Sequence, residues 1–255
     1  MRRGLVTALG HCPYRRCDIE KAQTMKTIGM IGGMSWESTA IYYRIINREV
    51  QKRLGGVHSA KALLYSFDFT EMAKLQADGK WDEADGRMAT AAVTLEKAGA
   101  DFLIICCNTM HRSTPVMERT VDIPLLHIAE PLGTAMAEAG VSNPALLGSR
   151  FTMESDAIIR GRLKQRFGLS VHAPAGADAE FVDRVIFEEF VRGIFSDSTR
   201  KTYASIIARL VAHGADGLIM GCTEIPLLLR TEDCAVPTFD TLTLHALAAV
   251  DYALA

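Results

Sequence analysis

The sequence predicts an α/β protein with two similar Rossmann-like lobes. Each lobe carries a parallel four-stranded sheet, the lobes are related by pseudo-two-fold symmetry, and the active site lies in the cleft between them. Three observations carry this. Strand-like and helix-like segments alternate along the 255 residues, as in sheets covered on both faces. Gly99-Ala100-Asp101, an apolar run and Cys106-Cys107 recur as Gly214-Ala215-Asp216, an apolar run and Gly221-Cys222. Two further matches frame that repeat. Ile123-Pro124-Leu125-Leu126 answers Val236-Pro237-Thr238-Phe239, and Ile28 to Gly33 answers Ala145 to Ser149, each of the last two a short strand running into small residues.

In chain order, residues 1–24 hold two Arg pairs and no periodicity, and read as a tail outside the fold. The fold is expected to begin near Met25. Ser35 caps a helix running to about Arg53, with Ile41 and Ile45 on one face and Gly55-Gly56 ending it. Ala62 to Phe67 reads as a strand, and Trp81 to Ala98 as a helix closed by Gly99. The boundary between lobes falls at Ala139 to Pro144, giving an N-terminal lobe over 25–140 and a C-terminal lobe over 141–240. In the second lobe Thr152 or Glu154 starts a helix closed near Gly168. Phe181, Val182, Val185, Ile186 and Phe190 form a helical stripe, and Thr199 to His213 is another helix. The last helix, within 241–255, is expected to pack back on the N-terminal lobe.

Composition bounds the function. The formal net charge of -2 gives no basic field for nucleic acid or an anionic membrane. No apolar run approaches the roughly 18–20 residues that span a bilayer. The six cysteines are too sparse for a secreted disulfide scaffold, which points to free thiols in a reducing cytoplasm. A zinc site from Cys107, His111 and Cys222 lacks any CxxC or HExxH spacing, so no metal is expected. The Gly29-x2-Gly32-Gly33 loop lacks dinucleotide and P-loop spacing, and no Lys has motif support as a Schiff-base residue, so no cofactor is expected.

Cys107 and Cys222 end matched strands, where open parallel sheets bind ligands. Two thiols on opposite faces of one carbon suit removal of a proton from one side and its return to the other. A helix N-terminus or nearby donors can draw a thiol pKa from about 8.5 toward neutrality, where acid–base catalysis is efficient. Asn108-Thr109 and Thr223-Glu224 follow the cysteines and supply polar groups at a turn. Cys106 faces the other side of its strand and Cys234 lies in a turn, and both read as ordinary thiols.

Lys26 to Ser38 (with Gly32-Gly33-Met34-Ser35-Trp36-Glu37-Ser38), Cys107-Asn108-Thr109-Met110-His111 and Gly221-Cys222-Thr223-Glu224-Ile225 resemble the aspartate/glutamate racemase family. The resemblance spans about residues 25 to 255 and favours the bacterial aspartate or broad amino-acid racemase branch, because the Asp-Ser-Gly opening of dedicated glutamate racemases is missing. It implies a homodimeric enzyme acting on a small amino acid without pyridoxal phosphate, with Cys107 and Cys222 as the two bases. It further implies that Asn108, Thr109, Thr152 and Thr223 bind the α-carboxylate or amino group. Met34 and Ser35 would line the pocket, and Glu224 would orient the second thiol or the ammonium. Aspartate racemases of this type carry an Arg after the second strand, but Tyr65 to Met72 contains none. Arg192 from the other lobe is the candidate replacement. Maleate isomerisation, arylmalonate decarboxylation and hydantoin racemisation are alternatives on the same fold, and an amino-acid sensor is the non-enzymatic one.

Overall fold

The structure is a computed structural model, and it describes residues 25–230 and 233–255. The tail expected over 1–24 lies outside the described residues.

The first half runs β1 (Ile28–Gly32), α1 (Trp36–Leu54), β2 (Ala62–Ser66), α2 (Phe69–Ala77), α3 (Trp81–Lys97), β3 (Phe102–Ile105), α4 (Thr114–Met117) and α5 (Ala129–Glu138). A 3₁₀ turn, Thr109–Ser113, links β3 to α4. The second half runs β4 (Pro144–Leu147), α6 (Arg150–Glu154), α7 (Gly161–Phe167), α8 (Ala177–Glu188), α9 (Asp197–Ala212), β5 (Gly217–Met220), α10 (Ile225–Leu228), β6 (Thr238–Asp240) and α11 (Thr241–Leu254). The strands form two parallel sheets, ordered β2-β1-β3 and β4-β5-β6.

Each sheet therefore has three strands, not the four expected from the sequence. The fourth segment exists in both halves but touches its sheet through one bridge, Leu125 on Leu103 and His172 on Ala145. Pro124 and Pro174 stand beside these bridges, and a proline has no N–H to extend a ladder.

β1, β3, β4 and β5 are buried along their whole length, so they read as continuous apolar runs rather than alternating ones. One side of the first sheet packs Ile28, Met30, Phe102 and Ile104 against Tyr42 and Ile46 of α1 and Leu242, Ala246 and Val250 of α11. The C-terminal helix thus covers the first sheet, and the N–H of Lys26 donates to the carbonyl of Ala253 (2.9 Å). The second sheet packs Leu146, Leu218 and Ile219 with Val182, Val185 and Ile186 of α8 and Tyr203 and Ile206 of α9.

Helix starts follow side-chain caps. Ser35 accepts from Ser38 N–H at the start of α1, as the sequence implies. In the second half Ser149 caps the helix by accepting from Thr152 N–H, so α6 begins at Arg150, upstream of the Thr152 or Glu154 start expected. The loops that follow β1 and β4 are therefore built alike.

Gly33 sets the first of these loops. Its φ is +84°, and a Cβ there would collide with the backbone of Phe67. Its N–H donates to Thr39 Oγ1 (2.9 Å), which ties the loop to α1. Gly33→Ala is expected to destabilise the protein by about 1–3 kcal/mol. Urea unfolding at neutral pH checks this.

Candidate active site

Four loops leave the carboxyl ends of β1, β3, β4 and β5 and meet in one cleft. Cys107 and Cys222 both line it, one from each half of the chain. So do Met34, Ser35, Asn108, Thr109, Thr152, Thr223 and Glu224. Arg192 is exposed and is not among the lining residues, although its neighbour Val191 is.

The geometry around each cysteine comes from the strand before it. Cys106 N–H donates to Ile31 O (2.8 Å) and its side chain is fully buried against the first sheet, so Cys107 turns the other way. The 3₁₀ turn then aims the N–H groups of Thr109 and Met110 at the Cys107 sulfur. His111 Nδ1–H donates to the Cys107 carbonyl (2.9 Å) and fixes the loop from behind. In the second half Gly221 N–H donates to Leu147 O (2.7 Å), and a Cβ at 221 would press on Leu146. The chain therefore passes close to β4 before Cys222 emerges.

The two cysteine loops contact opposite halves in a reciprocal way. Thr109, two residues after Cys107, hydrogen-bonds Ser149 (3.1 Å) and Thr152 (3.0 Å), the capping pair that follows β4. Glu224, two residues after Cys222, accepts longer hydrogen bonds from Ser35 (3.4 Å) and Ser38 (3.5 Å), the capping pair that follows β1. Thr223 also hydrogen-bonds Ser38. Reading the sequence missed Ser38 and Ser149, although the spacings Ser35-x2-Ser38 and Ser149-x2-Thr152 after matched strands were the available signal.

The chemistry at the two sulfurs differs. Cys222 Sγ–H donates to Glu224 Oε2 (3.0 Å), which also accepts from Thr223 Oγ1 (2.6 Å). Cys107 has no carboxylate hydrogen bond among the described residues. Burial pushes the Cys107 pKa up to about 11, against the lowering effect of the Met110 and Thr109 N–H groups. Burial first, then the negative charge and hydrogen bond of Glu224, raises Cys222 well above its ordinary value. Both shifts run opposite to the expected pull toward neutrality. Both thiols therefore favour their protonated forms.

Asn108 carries an open acceptor. Thr241 Oγ1 donates to Met220 O (3.0 Å), so it must accept from Asn108 Nδ2 (3.1 Å). That orientation leaves Asn108 Oδ1 buried with no partner, in a residue lining the cleft. Such an orphan is costly unless a ligand donor meets it.

His111 does not gather with the two cysteines. It packs against His127 and His245, with ring centroids 4.7 and 5.5 Å away. Among the described residues no group of His, Cys, Asp or Glu is placed to hold a metal ion. No helix among them is long and apolar enough to cross a membrane.

The model of the Asp/Glu/hydantoin racemase family matches residues 31–249. The chain belongs to this family, whose named members are racemases and hence isomerases. The broad specificity amino-acid racemase RacX of Bacillus subtilis is 25% identical over 217 residues, which cover 84% of this chain and 92% of that one. The structure of a candidate Asp/Glu racemase from Yersinia pestis is 47% identical with a TM-score of 0.85, covering 91% of this chain and 100% of that one. An aspartate racemase homologue from Pyrococcus horikoshii is 30% identical with a TM-score of 0.76, covering 90% and 99%.

Proposed function

We propose that the protein is a cofactor-independent amino-acid racemase in which Cys107 and Cys222 act as paired acid and base on opposite faces of Cα. The observation that carries this is the entry of both thiols into one cleft from matched strand ends. The lobes 25–140 and 141–240 then act as pseudo-two-fold halves, each delivering one sulfur. Their reciprocal capping contacts support that symmetry.

Glu224 gives the first proton a destination. Cys222 passes its thiol proton to the Glu224 carboxylate along the existing hydrogen bond. The Cys222 thiolate then takes the Cα proton from one face, and Cys107 S–H gives its proton to the other. Cys222 ends as a thiol and Cys107 as a thiolate. Running the transfer backwards converts the opposite enantiomer.

The raised thiol pKa values fit this scheme, because an amino-acid substrate brings a positive charge. Its ammonium meets Asn108 Oδ1 and offsets Glu224, which favours a thiolate nearby. The hydroxyls of Thr109 and Thr152 on one side, and of Ser35 and Thr223 on the other, are positioned to hold the α-carboxylate, with Met34 against the substrate.

The homodimer implied by the resemblance and the cytoplasmic location drawn from the sparse cysteines belong to this reading. Trp36 (66% exposed) and Tyr43 (55%) lie on one face of α1 and support a covering partner. Cys106, Cys107, Cys222 and Cys234 are free thiols, which suits a reducing compartment.

Chiral chromatography of single enantiomers, incubated with the purified protein in EDTA without added cofactor, tests the proposal. Interconversion of at least one L/D pair is the expected result. Enantiomers that stay pure across the common amino acids would reject racemisation in favour of a related reaction or a sensor.

A further inference from the structure

We infer that the cleft selects amino acids with uncharged, largely apolar side chains over aspartate and glutamate. This rests on the racemase reading and goes against the substrates that name the family.

The charge inventory of the cleft is the first ground. Among the described residues lining it there is no Lys, Arg or His, and the only acidic one is Glu224. A monocarboxylic amino acid brings one ammonium and one carboxylate. The ammonium answers Glu224 and the open Asn108 Oδ1, and the hydroxyl clusters answer the carboxylate. Aspartate or glutamate brings a second carboxylate. That group would leave water without a cation to meet it, inside a cleft whose own charge is negative. The cation proposed from sequence, Arg192, is exposed and outside the lining.

The second ground is where the polar groups sit. The hydroxyls, Asn108 and Glu224 all come from the strand-end loops and the helix caps that follow them. The remaining wall is mainly apolar: Phe69 opens α2, Ile186 and Phe187 close α8, and Val191 lies in the 3₁₀ turn after it, while the one uncharged polar side chain there, Gln76 of α2, has its amide N–H turned to Met110 Sδ (3.3 Å). Phe187 is 39% exposed and Val191 42% exposed, so both present apolar surface to water at the cleft. A substrate held at Cα by the polar loops has this wall left for its side chain. An aliphatic or thioether group covers Phe187 and Val191 from water, whereas a carboxylate gains nothing from them.

Initial rates on leucine, asparagine and aspartate, which share a branched shape at Cγ, separate charge from size. Glutamate and methionine form a second, longer pair. The expected order of kcat/KM is leucine above asparagine above aspartate, with methionine above glutamate. Leucine is expected to exceed aspartate by about 10²-fold or more. Val191→Arg places a guanidinium in the apolar wall, and is expected to raise aspartate turnover at least about tenfold relative to leucine, since a buried carboxylate then has its partner.

Aspartate or glutamate turned over as fast as the neutral analogues would overturn the inference and leave racemisation standing. Aspartate turnover that disappears in Arg192→Ala would do the same. Absence of Cα exchange with every amino acid tested would remove the racemase reading, and this inference with it.

Discussion

Cys107→Ser and Cys222→Ser are each expected to lower racemisation by about 10²–10⁴-fold, the usual worth of one general acid or base. A serine hydroxyl cannot become a base near neutral pH, so the loss falls on the proton-transfer step and hence on kcat. The substitutions remove little packing. Both residues are only half-buried, and a serine at 222 keeps a donor toward Glu224. Circular dichroism and urea midpoints of the variants should therefore match the parent closely. A variant that folds normally and keeps full two-way activity would break the pairing. Glu224 makes the two positions unequal, since among the described residues only Cys222 has a carboxylate in hydrogen-bond reach to receive its proton. Cys222 should therefore be the more sensitive to loss of its partner.

Acidification is the second large effect. Among the described residues three imidazoles are buried in their neutral forms, and hydrogen bonds fix all three tautomers, that of His111 through the Cys107 carbonyl. His245 Nε2–H donates to Leu126 O (2.8 Å), which leaves Nδ1 to accept from Tyr42 OH (2.9 Å). His127 Nδ1 accepts from Ala129 N–H (3.1 Å). Burial lowers the pKa of His127 to about 3 and of His245 to about 4, and holds His111 well below its ordinary value.

The unfolded chain therefore binds more protons below about pH 6.5, so stability is present above that pH and is lost as pH falls toward the folded values. At pH 5 the loss is about 2 kcal/mol for each of His127 and His245. Urea midpoints measured at pH 7.5, 6.0 and 5.0 should fall steeply across this range. A flat profile between pH 6.5 and 5 would show that these imidazoles titrate normally. Because His111 holds the Cys107 carbonyl, activity is expected to fall with stability on the acid side.

Much of the site was legible because it is written twice. The strand-end cysteines, the Gly-Ala-Asp approach to each strand and the Ser35 cap are all local patterns, set by backbone geometry within a few residues. The paired strand ends therefore bring Cys107 and Cys222 to one cleft without knowledge of the tertiary structure. Features set by distant neighbours were not legible. Ser38 meets Thr223 across 185 positions, and no local signal marks that contact. Phe187 follows the apolar stripe of α8 and borders the cleft rather than the core, which depends on how that helix is seated.

Sheet width was overestimated because a segment that reads as a strand can stop after one bridge when a proline stands beside it. The short elements, such as α2 and the Thr109–Ser113 turn, are set by capping and burial more than by periodicity. The direction of the thiol pKa values was also hidden. Donors near a cysteine are visible in sequence, but the loss of water around it is a property of the assembled fold.

Deuterium wash-in at Cα by the two serine variants, each given a single enantiomer in D₂O, tests the opposed thiols most directly. A lone remaining thiol can remove and return a proton on its own face only. Cys107→Ser should therefore label one enantiomer without inverting it, and Cys222→Ser should label the other. Labelling of the same enantiomer by both variants, or inversion by either at the parent rate, would contradict two sulfurs acting on opposite faces of one carbon.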